Sequence, residues 1–149
     1  MLINYKFNEK PYLNKIFSSL INKYQKNYLN FNFYDIIIPV PISKKRLKNR
    51  GYNQSLLYVK DISKENNIQL ENKVIIKIKN NNAQSSLNKE EREQNVQGVY
   101  KVINSKKVKN KKILLLDDIY TTGSTLNECS KELIKAGASY IDVFTIAKD

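Results

Sequence analysis

Five stretches of the sequence carry the apolar and β-branched runs that are typical of strands. They are residues 34–40, 73–79, 99–103, 113–116 and 140–147. The run at 113–116 is apolar at every position, which predicts a strand buried on both faces in the middle of a parallel sheet. Pro39 and Pro41 predict the end of the first strand, because proline cannot donate to a sheet ladder.

Three further stretches have apolar residues at helical spacing. The first, at 13–24, repeats an apolar position every three or four residues, and Pro11 stands near its first turn. The second covers residues 52–62. The third, at 126–134, is followed by Gly137, which predicts the C-terminal stop of that helix.

The order of these elements predicts an α/β fold. Strand, helix, strand, loop, strand, strand, helix and strand follow one another, which gives at least two right-handed crossovers between parallel strands. We expect a mostly parallel central sheet flanked by helices, with the carboxyl ends of its strands at one edge. The 149 residues are enough for one sizeable core, so we predict a single domain over residues 1–149.

Acids, hydroxyls and a glycine follow the central strand. Asp117 and Asp118 predict its end, because an unpaired carboxylate is costly to bury. The next polar residues, at the start of the third helix, are Thr121, Thr122, Gly123, Ser124 and Thr125. A helix N-terminus with a glycine that admits an oxygen close to the backbone suits a phosphate. The alternative is that the hydroxyls only cap a helix and the acids only end a strand.

A basic run follows the strand at 34–40, with five cations among the seven residues from Lys44 to Arg50. Such a run is commonly a solvated face. Its place after the carboxyl end of a strand, where α/β proteins bind ligands, favours an anion site formed by Lys44, Arg46 and Arg50. Residues 80–97 are almost free of apolar side chains, which predicts either disorder or a lid.

The composition excludes several kinds of site. The chain has no histidine, which excludes a histidine-dependent triad and removes the commonest metal ligand. Its one cysteine, Cys129, lies on the apolar side of the third helix, so we expect a core thiol and no disulfide within the chain. No apolar run approaches the roughly 18 residues of a membrane span and no signal peptide is recognisable, so we expect a cytoplasmic protein.

The formal net charge of +12 favours a polyanionic ligand, such as a polyphosphate sugar or nucleic acid. A composition rich in Asn, Ile and Lys, as an AT-rich genome produces, also raises the charge without such a ligand. Five lysines precede the central strand: Lys106, Lys107, Lys109, Lys111 and Lys112. At about 3.3 Å per residue they lie roughly 17 Å from the acids. We predict either a separate contact for nucleic acid or an acidic partner, or a charged turn that aids solubility.

The stretch from Ile113 to Thr125 resembles the phosphoribosyl pyrophosphate (PRPP) signature of type I phosphoribosyltransferases: an apolar run, two acids, two spacers and Thr-Thr-Gly-x-Thr. The resemblance implies that Asp117 and Asp118 hold the ribose 2′ and 3′ hydroxyls and meet Mg²⁺ only indirectly, through the bound ribose. It implies that Thr121 to Thr125 bind the 5′-phosphate. In the same reading Lys89 and Arg92 close over pyrophosphate from a lid at 80–97 and act in catalysis with the two aspartates.

Two more blocks extend the resemblance to the ComF family of phosphoribosyltransferase-like competence proteins. The first block is Pro39-Val40-Pro41 followed by Arg46 and by Arg50-Gly51-Tyr52-Asn53-Gln54. The second is Gln84, Leu87, Arg92, Asn95 and Gly98. The Arg-Gly-Tyr-Asn-Gln element is much more specific to ComF-like chains than the PRPP signature, which many phosphoribosyltransferases share.

This resemblance implies a PRPP- and Mg²⁺-binding protein that acts in the uptake of single-stranded DNA during natural competence. Single-stranded DNA or DNA-processing proteins are the implied partners, residues 1–33 are the implied helical hood, and a homodimer is left open. Whether the chain is a phosphoribosyltransferase, and with which acceptor, is also open. Two alternatives are a nucleobase-salvage transferase and a nucleic-acid-binding module with a vestigial phosphate site. Many family members begin with a four-cysteine zinc ribbon that this sequence lacks, so it is either a short form or has lost its N-terminus.

Overall fold

The computed structural model describes residues 16, 19–21, 23–24, 29–79 and 89–148. Its strands are β1 (Ile36–Pro39), β2 (Gln69–Leu70), β3 (Ile75–Lys77), β4 (Tyr100–Val102), β5 (Lys112–Tyr120) and β6 (Tyr140–Lys148). Its helices are α1 (Lys44–Arg50), α2 (Gln54–Glu65), α3 (Lys89–Val96) and α4 (Ser124–Lys135). Single 3₁₀ turns lie at Phe31–Phe33 and Ser105–Lys107. None of the helices in these described ranges is long and apolar enough to cross a membrane.

The main sheet has four strands in the order β2-β1-β5-β6, and every neighbouring pair is parallel. The β1–β5 register runs from Ile36 opposite Ile113 to Pro39 opposite Leu116. Helix α2 connects β1 to β2 and α4 connects β5 to β6, so the sheet has two crossovers between parallel strands as predicted, although the first leads to β2 and not to the predicted strand at 73–79. Because all four strands are parallel, their carboxyl ends lie together, and we call this side of the sheet the C-terminal edge.

Each face of the sheet carries its own apolar cluster. On one face, Ile36, Ile38 and the alternate residues Ile113 and Leu115 pack against α4 and against the β3–β4 pair. On the other face, Ile37, Leu114 and Leu116 pack against α2 and against Ile21. Residues 113–116 of β5 are completely buried, as the unbroken apolar run predicts. The fold of the central sheet therefore follows directly from the hydrophobic pattern.

Two strand predictions were wrong in detail. The strand that was expected to end at Asp117 continues to Tyr120, because β6 pairs with β5 as far as Tyr120 opposite Lys148 even after β1 has ended. The predicted strand at 73–79 is shorter and lies outside the main sheet, where β3 pairs with β4 in antiparallel orientation. The short edge strand β2 was not predicted, since two residues between turns carry no periodic signal.

The helical predictions were also only partly right. Helix α4 and its stop at Gly137, where φ is +95°, were predicted correctly, and so was α2 apart from its ends. Helix α1 was missed. Helix α3 is two turns long, where at most one solvated turn was expected. Residues 16, 19–21 and 23–24 are helical as predicted, but Ile16, Leu20 and Tyr24 of the predicted apolar stripe are about half exposed. The rest of the predicted hood, and residues 80–88, lie outside the described residues.

Candidate functional site at the C-terminal edge

Asp117 and Asp118 stand in β5 beyond the end of its neighbour β1. The last bond between the two strands' residues runs from the N–H of Val40 to the carbonyl of Leu116, at 2.8 Å. After that point β5 is paired only with β6, so both carboxylates are half-buried at an open strand edge. This geometry, rather than the end of the strand, allows two adjacent acids to follow four fully buried residues.

The two carboxylates are held by short local contacts. Oδ1 of Asp117 accepts the N–H of Asp118 at 2.9 Å and the hydroxyl of Ser55 at 3.3 Å, and Oδ1 of Asp118 accepts the N–H of Ile119 at 2.9 Å. Ser55 is buried in the first turn of α2. No local sequence signal marks Ser55, which joins the β5 acids to the helix that follows the Arg-Gly-Tyr-Asn-Gln element.

The loop of hydroxyls at 121–125, called here the hydroxyl loop, turns the chain from β5 into α4. Gly123 is the N-cap of α4 and is left-handed, with φ of +75° and ψ of 0°. A Cβ built on Gly123 would lie 2.8 Å from both Cε2 and Oη of Tyr120. Only glycine fits this turn without strain, because other residues are penalised at positive φ and also lack the space.

The hydroxyl loop is organised around Thr122 and Ser124. Their hydroxyl oxygens are 2.5 Å apart, and the N–H of Ser124 donates to Oγ1 of Thr122 over a long 3.4 Å. The N-cap residue is a glycine and has no side chain with which to cap α4. In place of an N-cap side chain, Oγ1 of Thr122, one residue earlier, accepts the first N–H of α4, and the length of this bond makes it a weak cap.

The basic run after β1 forms helix α1 and leads directly to the same edge. Ser43 caps α1 by accepting the N–H of Arg46 at 3.2 Å, and Gly51 ends the helix with φ of +82°. The side chain of Arg50 donates to the amide oxygen of Gln54. The serine and the glycine that flank residues 44–50 were the sequence signals for this helix, and the absence of an apolar stripe concealed them.

The Arg-Gly-Tyr-Asn-Gln element joins α1 and α2 to the end of β1. Nδ2 of Asn53 donates to the carbonyl of Val40 at 3.0 Å, which fixes the N-terminus of α2 beside the end of β1. Gln54 and Ser55 are both buried there. Thus the structure brings the first and third sequence blocks together at the C-terminal edge, as the parallel topology predicts.

Lys77 is a further candidate site residue, which the sequence pattern marks only as one position in a strand. It is half-buried at the end of β3, and its Nζ lies 5.6 Å from the ring centroid of Tyr100. Burial lowers the pKa of Lys77, and the charge of Arg46 lowers it further, while Cys129 and Asp117 act in the opposite direction. Lys77 of β3 therefore lies within electrostatic reach of both Arg46 of α1 and Asp117 of β5.

Tyr100 was likewise missed. It is 4% exposed, and its hydroxyl is hydrogen-bonded to the side chain of Thr125 in the hydroxyl loop. Burial, more than any other cause, raises the pKa of Tyr100 far above its usual range, and Cys129 and Asp117 add to this effect. Tyr100 therefore stays neutral and connects the β3–β4 pair to the first turn of α4.

The remaining residues singled out from the sequence are Cys129, Lys44, Lys89 and Arg92, and the structure describes them to different extents. Cys129 is completely buried in the core, as predicted, and burial raises its pKa well above the usual value. Lys44 is exposed on α1, and no described contact brings it to the aspartates. The backbones of Lys89 and Arg92 lie in α3, but the positions of their side chains are outside what the structure describes. Their assignment to pyrophosphate stays a prediction.

The sequence is similar to a protein family and to several competence proteins. The model of the phosphoribosyl transferase domain family matches residues 54–149. Competence protein F of Haemophilus influenzae is 36% identical over 115 residues, which are 76% of this chain and 50% of that protein. Competence protein ComFC of Streptococcus pneumoniae is 35% identical over 144 residues, 97% of this chain and 60% of that protein. The chain thus spans one half to three fifths of the length of these two relatives.

Solved structures share its fold. Glutamine phosphoribosylpyrophosphate amidotransferase from B. subtilis superposes with a TM-score of 0.64 at 16% identity, covering 97% of this chain and 30% of that one. Purine phosphoribosyltransferase from Pyrococcus horikoshii superposes with a TM-score of 0.55 at 17% identity, covering 92% and 73%. These likenesses confirm the predicted type I phosphoribosyltransferase-like fold. The chain therefore belongs to the phosphoribosyl transferase domain family, and within that family it is similar to the ComF competence proteins.

Proposed function

We propose that the C-terminal edge binds PRPP together with Mg²⁺, and that the chain uses this site as a ComF-like protein in DNA uptake. The observation that carries the proposal is the left-handed Gly123, which turns the hydroxyl loop into the start of α4 directly after the two carboxylates of β5. A phosphorylated sugar with vicinal hydroxyls offers the matching groups. Its phosphate suits a helix N-terminus, and its hydroxyls can donate to carboxylates.

The parts of PRPP would occupy different elements of the edge. In this proposal the hydroxyl loop binds the 5′-phosphate, and Asp117 and Asp118 bind the ribose hydroxyls. The cations on the α1 and β3 side, Arg46, Arg50 and Lys77, face the negative charge of pyrophosphate. The electrostatic influence of both Arg46 and Asp117 on Lys77 supports this division for Arg46 and Lys77.

The residues present fit Mg²⁺ that is held mainly by the ligand. In the described part of the chain no group of three or more acidic, cysteine or histidine side chains could enclose a metal ion. Two adjacent carboxylates remain, and Mg²⁺ is commonly bound by one or two carboxylates, water and substrate phosphates. Asp117 and Asp118 would meet the ion through the bound ribose. When bound, Mg²⁺ supplies neutralisation of the pyrophosphate charge.

If the chain transfers the ribosyl group, its own residues would act by position and charge. The bond from ribose C1 to pyrophosphate breaks with positive charge developing on the sugar and negative charge on the leaving group. The carboxylate of Asp117 stabilises the former, and the cations on the α1 and β3 side stabilise the latter. The chain has no histidine to act as a general base. The acceptor would therefore have to supply a nucleophile that needs little deprotonation, or use a carboxylate.

The proposed role in DNA uptake rests on the relatives. Two are named competence proteins, and the Escherichia coli K12 relative, 26% identical over 114 residues and matched over 49% of its length, is named a DNA utilization protein. PRPP would then serve either as the substrate of a transfer or as the ligand that sets the active state of the protein. Pyrophosphate release in the presence of PRPP, Mg²⁺ and a panel of bases separates these two uses.

Thermal unfolding with PRPP and Mg²⁺ tests the proposal. At 100 times its dissociation constant a ligand stabilises a protein by about 2.7 kcal/mol, which is roughly 5–11 °C for a chain of this size. We expect this shift in the wild type and its loss in the Asp117→Asn, Asp118→Asn double variant. Glu65→Gln with Glu132→Gln is the matched control, because it removes two negative charges from α2 and α4 without touching the predicted site residues. An undiminished shift in the aspartate variant would refute the site assignment.

A further inference from the structure

We infer that a second surface, at the opposite edge of the sheet from the PRPP site, binds single-stranded nucleic acid. It consists of two exposed aromatic rings and the neighbouring cations, and we call it the aromatic–lysine surface. Its members are Phe33, Tyr140, Lys109, Lys111 and Lys112. The inference does not depend on PRPP binding, because the two surfaces lie at opposite ends of β5.

Both rings are exposed to solvent. The exposed fraction is 41% for Phe33 and 45% for Tyr140. Their ring centroids are 5.2 Å apart and their planes cross at 86°, so they form one edge-to-face pair. Unpaired bases stack on such rings whatever the sequence, because every base has a π-face.

The rings are held in place by their buried neighbours. Phe31 is 3% exposed and Tyr34 is 9% exposed, so the short 3₁₀ turn is anchored on both sides of Phe33. The hydroxyl of Tyr34 donates to Oδ2 of Asp142 at 2.7 Å, which ties this turn to β6. A platform that is already rigid loses little conformational entropy when a base binds.

Lysines surround the rings. Nζ of Lys112 lies 4.4 Å from the ring centroid of Phe33, and the backbone of Lys112 is opposite Tyr140 in the sheet register. Lys109 and Lys111 lie in the preceding turn, which is fixed by a bond from the N–H of Asn110 to the carbonyl of Gly137 at 2.8 Å. The lysines are therefore positioned beside the rings by backbone contacts.

The nearby acids accept hydrogen bonds from members of the surface, and one lysine of the cluster is paired elsewhere. Oδ2 of Asp35 accepts the N–H of Lys112 at 2.7 Å, and Asp142 accepts tyrosine hydroxyls. Nζ of Lys107 bonds to both carboxylate oxygens of the buried Glu71, at 2.9 and 3.0 Å, so Lys107 is excluded from the surface. Among the described residues, the three lysines of the surface still outnumber Asp35 and Asp142 beside it.

Single-stranded nucleic acid fits these features better than the other polyanions. An acidic protein would require the lysines but would gain nothing specific from two open rings. A duplex presents phosphates but keeps its bases stacked inside, away from the rings. A single strand uses both, because its phosphates pair with lysines while its bases stack. With Lys112 about 17 Å from Asp117 at roughly 3.3 Å per residue, both surfaces can be occupied together.

Fluorescence anisotropy with a 20-nucleotide oligo-dT and a duplex of equal length tests this inference on the full chain. We expect tighter binding to oligo-dT, and at least fivefold weaker binding after either Phe33→Leu or Tyr140→Leu, since stacking contributes about 1–3 kcal/mol per base. Phe33→Trp and Tyr140→Phe keep a ring and should retain the affinity. Thermal unfolding of each variant, without ligand, shows whether a loss of binding reflects a loss of fold.

The lysines are tested by the dependence of binding on salt. Replacing Lys111 and Lys112 by glutamine should reduce the slope of log K against log salt by about 1.4, at roughly 0.7 per phosphate contact. Lys60→Gln with Lys64→Gln removes the same charge from α2 and should leave the slope within about 0.3 of the wild type. Equal binding of duplex and oligo-dT, leucine variants with wild-type affinity, or the same slope change in both lysine pairs would each overturn the inference.

Discussion

Gly123 gives the sharpest prediction about the hydroxyl loop. Its φ of +75° would penalise alanine by about 1–2 kcal/mol, and a new Cβ would lie only 2.8 Å from two atoms of the Tyr120 ring. Forcing such an overlap typically adds about 1–3 kcal/mol. We therefore expect Gly123→Ala to lower the free energy of unfolding by roughly 2–5 kcal/mol.

Gly98 provides the matched control. It also has a positive φ, of +63°, but a Cβ built there meets nothing within 4 Å. Gly98→Ala should therefore lose only the conformational part, about 1–2 kcal/mol. In a Tyr120→Ala background the overlap is gone, and the further effect of Gly123→Ala should fall to the same 1–2 kcal/mol.

Urea unfolding followed by circular dichroism measures these differences, and calorimetric titration with ribose 5-phosphate measures the site. We expect Gly123→Ala, but not Gly98→Ala, to weaken binding of ribose 5-phosphate by at least tenfold. Equal destabilisation by the two alanine variants would refute the close contact with Tyr120. Unchanged affinity in Gly123→Ala would refute the assignment of the 5′-phosphate to the hydroxyl loop.

Three other predictions follow from single contacts. Tyr100→Phe should weaken ribose 5-phosphate binding about 2–12-fold, which corresponds to a net hydrogen bond of about 0.5–1.5 kcal/mol. In a Thr125→Val background the same change should have no effect, because the hydrogen bond between the two side chains is already lost. Additive losses of affinity would contradict this contact. Burial in the folded protein lowers the pKa of Lys77 from 10.5, and bound pyrophosphate should raise it again. We therefore expect pyrophosphate to bind at alkaline pH with uptake of a fraction of a proton, which calorimetry in two buffers measures. Lys77→Met should abolish this uptake, and uptake that persists in the variant would contradict the assignment. Glu128→Leu should destabilise the fold by about 1–3 kcal/mol because the N–H of Gly98 loses its acceptor, and Glu128→Gln should retain most of the stability.

The sequence predicted the central sheet well because its signals are local. Four consecutive aliphatic residues at 113–116 indicated a strand buried on both faces, and Gly137 marked the end of α4 through its need for positive φ. These features depend on neighbouring residues, so they can be recognised without knowing the tertiary structure.

Apart from the missed helix α1, whose local signals were concealed, the main errors concern features that depend on distant partners. The extension of β5 to Tyr120 is set by β6, and the placement of β3 outside the main sheet is set by its pairing with β4. Lys77 alternates with apolar neighbours like any exposed strand residue, and only the packing of β3 against the α4 side of the sheet brings it near Asp117. Ser55 was missed for the same reason, since its partner is 62 positions away.

A crystal structure of the protein with PRPP and Mg²⁺ would test the central claim most directly. We predict the 5′-phosphate against the N-terminus of α4 within residues 121–125, the ribose hydroxyls on Asp117 and Asp118, and pyrophosphate on the side of Arg46 and Lys77. PRPP bound with its phosphate away from Gly123, or a site that stays empty at saturating PRPP and Mg²⁺, would contradict the account.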